Sequence, residues 1–450
     1  MKKQALPLKI GFASVDITPP KGVPLSGTST LRPNEGVLHR IYAKVMILEQ
    51  EGKRHVIMGV DAVGVKSELI DRLQERTRKL NVVSIICNAS HTHCAPDLYD
   101  GFYDNLDDLK VVGLKNNFQK QVENKLVRLI EEGCKQLKSG YLAFNNQEEA
   151  RFSVNRRRFY KGEWQLMPNF KAKIDQRVSV ISAYHENGAL MGVTYSYTCH
   201  TTTYYSMNLV SGDFVSVASD RIESELKVPA VFLQGPCGDI RPAMLNPEKP
   251  EFFGKTTVRD VERVGEELAL AVIKSLNSRT KKLKPQLSAI SAYTHLPYQM
   301  EMSDEKIIRY QKFGLKKGEK HTLEILSTYK ENWFKKMLSR SIKDRQKPFT
   351  MPIIGLKFSD DLTILALGHE LGSGYATLIQ KRFPQIRILT LGYTNAMVTY
   401  VMPAKVIREG GYEGDYSNYC CGLPAPFSEV SEAVILDKAC QILDEFHKKR

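Results

Sequence analysis

Short apolar runs alternate along this chain with longer stretches that are apolar on one side only, and this alternation narrows the fold more than any other feature. Ala43–Leu48, His55–Val60, Val82–Cys87, Ala189–Tyr197, Ala230–Leu233, Leu362–Leu367 and Ile386–Leu391 are short and rich in β-branched residues or Leu. They predict buried strands. Ser67–Lys79, Asn117–Leu137, Thr256–Leu276, His321–Leu338, Leu371–Arg382 and Ser428–Lys448 carry apolar residues at i, i+3 and i+4 with charges opposite, which predicts amphipathic helices. The alternation points to an α/β fold, a mixed β-sheet core covered by helices. Asn145–Pro168, with its Arg cluster, reads as an irregular segment. A boundary is conceivable near Asn246–Pro250.

With 42% hydrophobic and 25% charged residues in 450, the chain has the composition of a globular protein rather than a disordered or fibrous one. It has no internal repeat or low-complexity linker, so the expectation is one unit over residues 1–450 with a helical insertion around 300–350. No run approaches the roughly 18–20 apolar residues of a membrane-spanning helix. The start, Met1 to Lys9, is basic but has no apolar core, so no secretory signal and a cytoplasmic location are expected. Sixty-four basic residues against 50 acidic ones give a net charge of +14, which favours anionic partners in general. No nucleic-acid-binding signature accompanies it. The densest stretch, Glu301–Thr350, has 13 Lys/Arg against 7 Asp/Glu and reads as a solvated helical surface. Eight cysteines without repeated C-x-x-C spacing predict reduced thiols, not a disulfide framework or zinc ribbon.

Four of the apolar runs end in polar residues of metal-binding type. After Val82–Cys87 comes Asn88-Ala89-Ser90-His91-Thr92-His93, and after Ala189–Tyr197 comes Thr198-Cys199-His200-Thr201. Leu362–Leu367 leads into Gly368-His369-Glu370, and Ile386–Leu391 into Gly392-Tyr393-Thr394-Asn395. Sites in open α/β sheets form beyond the carboxyl ends of strands, so these four ends suggest one shared site. His91 and His93, two apart, fall on the same side of an extended segment. A catalytic zinc takes about three protein ligands and keeps one position open; His91, His200 and Glu370 meet that requirement. Each alone has a plain explanation: a satisfied core histidine, or an acid at a helix N-terminus. Arg156, within Phe152–Arg158, offers a guanidinium for a carboxylate or carbonyl, or belongs to a solvated basic loop. Gln234–Asp239 has the small residues that close backbone approach demands, or is a simple turn. Tyr400 and Tyr412 could donate to an oxyanion or fill the core. Cys94, Cys199 and Cys237 read as space-filling thiols.

Asp16-Ile17-Thr18-Pro19, the Asn88–His93 segment, Asn155-Arg156, His200, Gly238-Asp239, Glu370, and Tyr400 with Tyr412-Glu413-Gly414 occur in the order seen in neutral/alkaline ceramidases, and from about Ile10 to Gly422 the chain resembles that family. The resemblance is poor over Asn246–Pro352. It implies a ceramidase-like catalytic domain and a zinc-dependent amidase cleaving an N-acyl bond. His91, His200, Glu370 and Tyr400 would bind one zinc ion per chain, with His93 as the acid/base beside it. Arg156 and Tyr412 would hold the acyl carbonyl, and Asn155, Asp239 and Arg241 would lie on the substrate side. The family's Gly-Asp-Val-Ser-Pro serine is replaced: here the segment is Gly238-Asp239-Ile240-Arg241-Pro242. Arg241 cannot act as a nucleophile, and its charge suits a polar or anionic soluble N-acyl substrate. Set beside the family, the chain is expected to lack the C-terminal immunoglobulin-like domain. Two other readings stay open. One is a binuclear metal phosphoesterase using Asp61, Asn88, His91, His93, His200 and His369; the other is a ceramidase-like protein without activity.

Overall fold

The computed structural model describes residues 7–447 apart from 29, 102, 104–107, 205–207, 279 and 314–332. Two β-sheets lie face to face between layers of helix. The larger has nine strands, ordered Ala230–Gln234, Leu190–Tyr197, Ser179–His185, Lys138–Asn145, Lys9–Asp16, Tyr42–Gln50, Lys53–Val60 and Val82–Ala89, with Lys281–Lys282 beside Lys138–Asn145. Its pairs are antiparallel except the two outermost. Lys53–Val60 with Val82–Ala89, and Leu190–Tyr197 with Ala230–Gln234, run parallel. The smaller sheet is ordered Ser288–Leu296, Phe349–Ser359, Leu362–Leu367 and Arg387–Leu391, the last pair parallel. The core is therefore a mixed sheet system.

Side-chain alternation sorts each strand between two apolar layers. On Tyr42–Gln50, Val45 and Ile47 face the helices Ser67–Arg76 and Leu109–Lys135 through Leu69, Leu73, Phe118, Val122 and Leu126. Met46 and Leu48 face the other sheet and meet Ile354, Leu356, Phe358 and Ile364. The outer side of the small sheet, with Ile353, Leu365 and Leu367, is covered by Tyr375 and Ile379 of Gly374–Arg382 and by Ile435, Ala439 and Ile442 of Val430–His447. Helices Phe214–Leu226 and Val258–Asn277 pack on Val193, Tyr195 and Phe232. A fully buried side chain of this size contributes about 1.5–3 kcal/mol. Because strands in both sheets are buried on both faces, their sequences read as continuous apolar runs.

All seven expected strands are present within one or two residues of their ends. The expected helices are present too, except that His321–Leu338 lies largely outside the described residues; 333–338 is helical. Asn145–Pro168 differs from expectation: it holds the strands Ser153–Tyr160 and Glu163–Asn169, paired antiparallel. Alternation is masked there because the charged Arg156 and Arg157 point inward while Phe159 and Leu166 are exposed. Among the described residues, no helix is long and apolar enough to cross a membrane, and all eight cysteines are free thiols.

Candidate functional site

Asn88 draws three strand ends together. Its side-chain amide donates to the Gly392 carbonyl (2.7 Å) and its side-chain oxygen accepts from the Gln234 amide (2.6 Å). Asn395 adds two bonds across the same seam, accepting from the Cys87 amide and donating to the Ile85 carbonyl, both at 2.8 Å. The polar ends of Val82–Ala89, Ala230–Gln234 and Arg387–Leu391 thus meet at one place. His91 (φ 61°), His369 (67°), Tyr393 (52°) and Asn395 (60°) all have left-handed backbone there, an uncommon state for residues other than glycine that clusters at functional sites.

His91 is anchored by the segment that follows the strand Lys53–Val60: its amide donates to Ala62 O (2.9 Å) and its Nδ1 lies 2.7 Å from Val63 O. His200, beyond Leu190–Tyr197, donates its amide to Ile240 O, and its Nδ1 lies 2.7 Å from Cys237 O. A carbonyl only accepts, so in both rings Nδ1 carries the hydrogen and Nε2 of the neutral ring presents a lone pair. Glu370 Oε2 lies 3.4 Å from His91 Nε2 and 3.3 Å from His200 Nε2. Burial, with the Arg156 charge, pushes His200 down to about 4, so its ring is neutral. With the rings in this neutral form, three buried electron-pair donors converge, an arrangement that suits a cation.

His91, His93 and His200 form a compact group of metal-binding type, one nitrogen of each lying within 4.8 Å of the others. His93 Nε2 is 3.2 Å from His91 Nε2, with the rings edge to face. Strand alternation is not what brings this pair together, since His91 is left-handed. The kink there and the close backing of His93 by Gly27 do so. Gly27 has φ +96°, and a Cβ on it would fall 2.6 Å from His93 Cβ and Cγ. Desolvation and the adjoining imidazoles hold His93 well below its ordinary pKa.

Glu370 is not a helix-terminal acid: the helix starts at Gly374, and Glu370–Leu371 is a short strand parallel to Tyr400–Val401. That register places Glu370 beside Tyr400. Arg156 Nη2 donates to Tyr400 Oη at 2.8 Å, and the Arg156 guanidinium lies near the rings of Tyr400 and Tyr412 (5.4 and 6.0 Å). Tyr412 packs against Tyr400, centroids 5.3 Å apart. Burial raises the pKa of both phenols well above 10.

Asn155 and Asp239 bind each other (2.9 Å), and Asp239 also accepts from the Ser373 amide and hydroxyl (2.7 and 3.0 Å). These contacts tie the Arg156 strand to the Glu370 segment. Gly238 permits a close approach to backbone rather than to a ligand, its missing Cβ lying 3.1 Å from Glu370 O and Leu371 O. Arg241, on the strand Ile240–Pro242 opposite Val154, sets its guanidinium over Phe253 at 4.2 Å. His369 turns away: its Nε2 lies 3.2 Å from Thr350 O and its ring packs on Phe349. Asp61 accepts from the Tyr42 amide at 3.0 Å. Burial raises the Cys199 and Cys237 pKa values far above the ordinary thiol range, which suits packing groups rather than thiolates.

Two groups were named in the sequence only as members of motifs, with no role. Glu413 binds Arg156 and Arg157 together, and the Tyr393 ring lies tilted against His91, centroids 4.4 Å apart. The Tyr-Glu-Gly motif carried a signal for Glu413; Tyr393 carried only its position at a strand end.

The family described as neutral/alkaline non-lysosomal ceramidase, N-terminal, matches residues 8–299. The neutral ceramidase of Pseudomonas aeruginosa is 25% identical over 251 residues, 53% of this chain and 37% of that protein. The matched stretch thus spans little more than a third of the relative's length. The crystal structure of neutral ceramidase from Pseudomonas aeruginosa superposes with a TM-score of 0.72 at 19% identity, covering 99% of this chain and 75% of that one. A ceramidase complexed with C2 gives 0.72 at 18% identity, covering 98% and 76%. These two likenesses concern the fold. On the strength of the match over residues 8–299, the chain belongs to the neutral/alkaline non-lysosomal ceramidase family.

Proposed function

We infer that this chain is a zinc-dependent hydrolase of an N-acyl amide bond, with one ion held by His91, His200, Glu370 and Tyr400. The observation that carries the reading is that Glu370 Oε2 lies 3.4 Å from His91 Nε2 and 3.3 Å from His200 Nε2, with both Nδ1 atoms engaged by backbone carbonyls. When bound, zinc polarises a carbonyl and makes a water nucleophilic near neutral pH. The chain's own groups do the rest. His93, neutral and 3.2 Å from His91, takes a proton from the attacking water and returns it to the departing amine. Arg156 and Tyr412 donate to the oxygen on which negative charge develops. Asp239 and Asn155 keep the Arg156 strand in register with Glu370. No serine is required, which agrees with Arg241 at the family's serine position. The charge of Arg241 favours a polar or anionic acyl compound over ceramide.

The test is a metal count on the purified protein, followed by turnover assays on N-acyl amino acids, N-acyl sugars and short-chain ceramides. One zinc per chain with amide turnover is the expected result. Two metals with phosphoester turnover, or zinc without turnover of any of these compounds, would replace this reading.

A further inference from the structure

Glu413 is 2% exposed and lies in a π-helical turn, Tyr412–Tyr416, next to the site. Its Oε1 accepts from Arg156 Nε and its Oε2 from Arg157 Nη1, each at 2.7 Å. Arg157 is held on its other side by Gly410 O (2.9 Å) and lies over Trp164 at 5.3 Å. A second carboxylate, Glu409, stands 3.5 Å from Arg157 Nη2. Two adjacent guanidinia on one strand would repel each other if left to themselves. One carboxylate bridging them fixes both, through charge-assisted bonds with defined directions. With Nε committed to Glu413 and Nη2 to Tyr400, Arg156 keeps Nη1 without a hydrogen bond to a described residue.

We propose that Glu413 is a positioning residue: by clamping Arg156 to Arg157 it fixes the Nη2 that bonds Tyr400 and the Nη1 edge that receives the polar end of the substrate. The proposal rests on the amidase reading for the word substrate, but the clamp itself is a claim about Arg156. π-turns inside helical segments accompany functional sites, and here the turn sets the Glu413 carboxylate against two guanidinia of a strand remote in sequence. Glu413 need not touch the reacting atoms itself, since it acts through Arg156; a displacement of about 1 Å at such a group costs on the order of 10²-fold in rate.

The experiment uses the full chain loaded with zinc and compares wild type, Glu413→Gln, Glu413→Asp, Arg156→Lys and the double variant Arg156→Lys/Glu413→Gln. Turnover is read on an N-acyl compound that the wild type cleaves, folding by thermal unfolding, and zinc by metal analysis. Glu413→Gln should keep zinc and lose about 10–100-fold in kcat with a smaller change in KM, and Glu413→Asp should recover part of the loss. In the Arg156→Lys background Glu413→Gln should cost little more, because it acts through that guanidinium. Unchanged kcat, or equal losses in both backgrounds, overturns the proposal. Should Glu413→Gln fail to fold, Glu413→Asp in the two backgrounds is read the same way. An arm independent of activity follows exchange of the Arg156 Nε–H with water, assigned by its disappearance in Arg156→Lys. Exchange should quicken by about tenfold or more once the carboxylate is gone, and unchanged exchange also overturns the clamp. A wild type that cleaves no N-acyl compound overturns the amidase reading instead, and the exchange rate alone then judges Glu413.

Discussion

Glu370 Oε2 sits 3.4 Å from His91 Nε2, although the two residues come from opposite halves of the chain. In a neutral His91 ring, with Nδ1–H directed at Val63 O, Nε2 offers the carboxylate only a lone pair. A cation between them removes the repulsion. Removing one such donor should cost more than the roughly 10–100-fold in metal affinity that loss of an outer-shell partner costs. His200→Ala and Glu370→Gln are therefore expected to be isolated nearly metal-free under conditions that leave wild type loaded. Metal analysis after gel filtration decides; full loading of both variants sinks the ligand assignment.

His55 gives a prediction far from the site. It is buried, its Nδ1 lies 2.8 Å from Ser84 Oγ, and desolvation first, with Lys53 adding to it, lowers its pKa to about 4. The unfolded chain takes up this proton near pH 6.5, whereas the folded protein resists until about pH 4. Folding stability from this group is thus complete above pH 6.5 and is lost as the pH falls toward 4, by about 3 kcal/mol in all. Denaturant unfolding at a series of pH values should show this loss in wild type and lack it in His55→Gln. Parallel curves for the two proteins would contradict the assignment.

Arg241 stands where the resemblance expects the family's serine. Its guanidinium lies over Phe253, 4.2 Å from the ring centroid. If it meets an anionic group of the substrate, Arg241→Ser should lower kcat/KM for anionic N-acyl compounds by roughly tenfold, the scale of one charge-assisted hydrogen bond. Neutral N-acyl compounds should change little. Equal changes for both classes remove the charge argument.

The layers were legible in the sequence because strands buried on both faces cannot hide their composition: Val56, Ile57 and Met58 are all fully buried and all apolar. The hairpin Ser153–Asn169 was not legible, because its buried Arg156 and Arg157 are paired with Glu413, a partner supplied from far along the chain. In the same way His91, His200 and Glu370 could be marked as metal-type groups from their positions at strand ends. The side chain of Asn88 is bonded to Gln234 and Gly392, at the ends of strands that pair in parallel with Leu190–Tyr197 and Leu362–Leu367, and nothing local in Asn88-Ala89-Ser90 announces those partners. The plain alternative for Glu370, a helix-terminal acid, could not be ruled out from sequence for a related reason. Two residues of strand, paired only with Tyr400–Val401, leave no periodicity to detect.

Gly27 tests the acid/base role of His93 without touching an ionisable group. Its left-handed backbone and the 2.6 Å distance from a would-be Cβ to His93 Cβ and Cγ leave no room for a methyl group, and the Ser26 amide bond to Ala95 O keeps the segment from backing away. Gly27→Ala should therefore push the imidazole aside and destabilise the fold by about 1–3 kcal/mol, through overpacking and a strained φ. If His93 moves protons and does not hold the ion, the variant keeps its metal while kcat falls, approaching the 10²–10⁴-fold loss expected of His93→Ala. Metal analysis and kcat measured on the same preparations separate the outcomes. Loss of metal in both variants would place His93 among the ligands, and unchanged kcat in both would end its role in the chemistry.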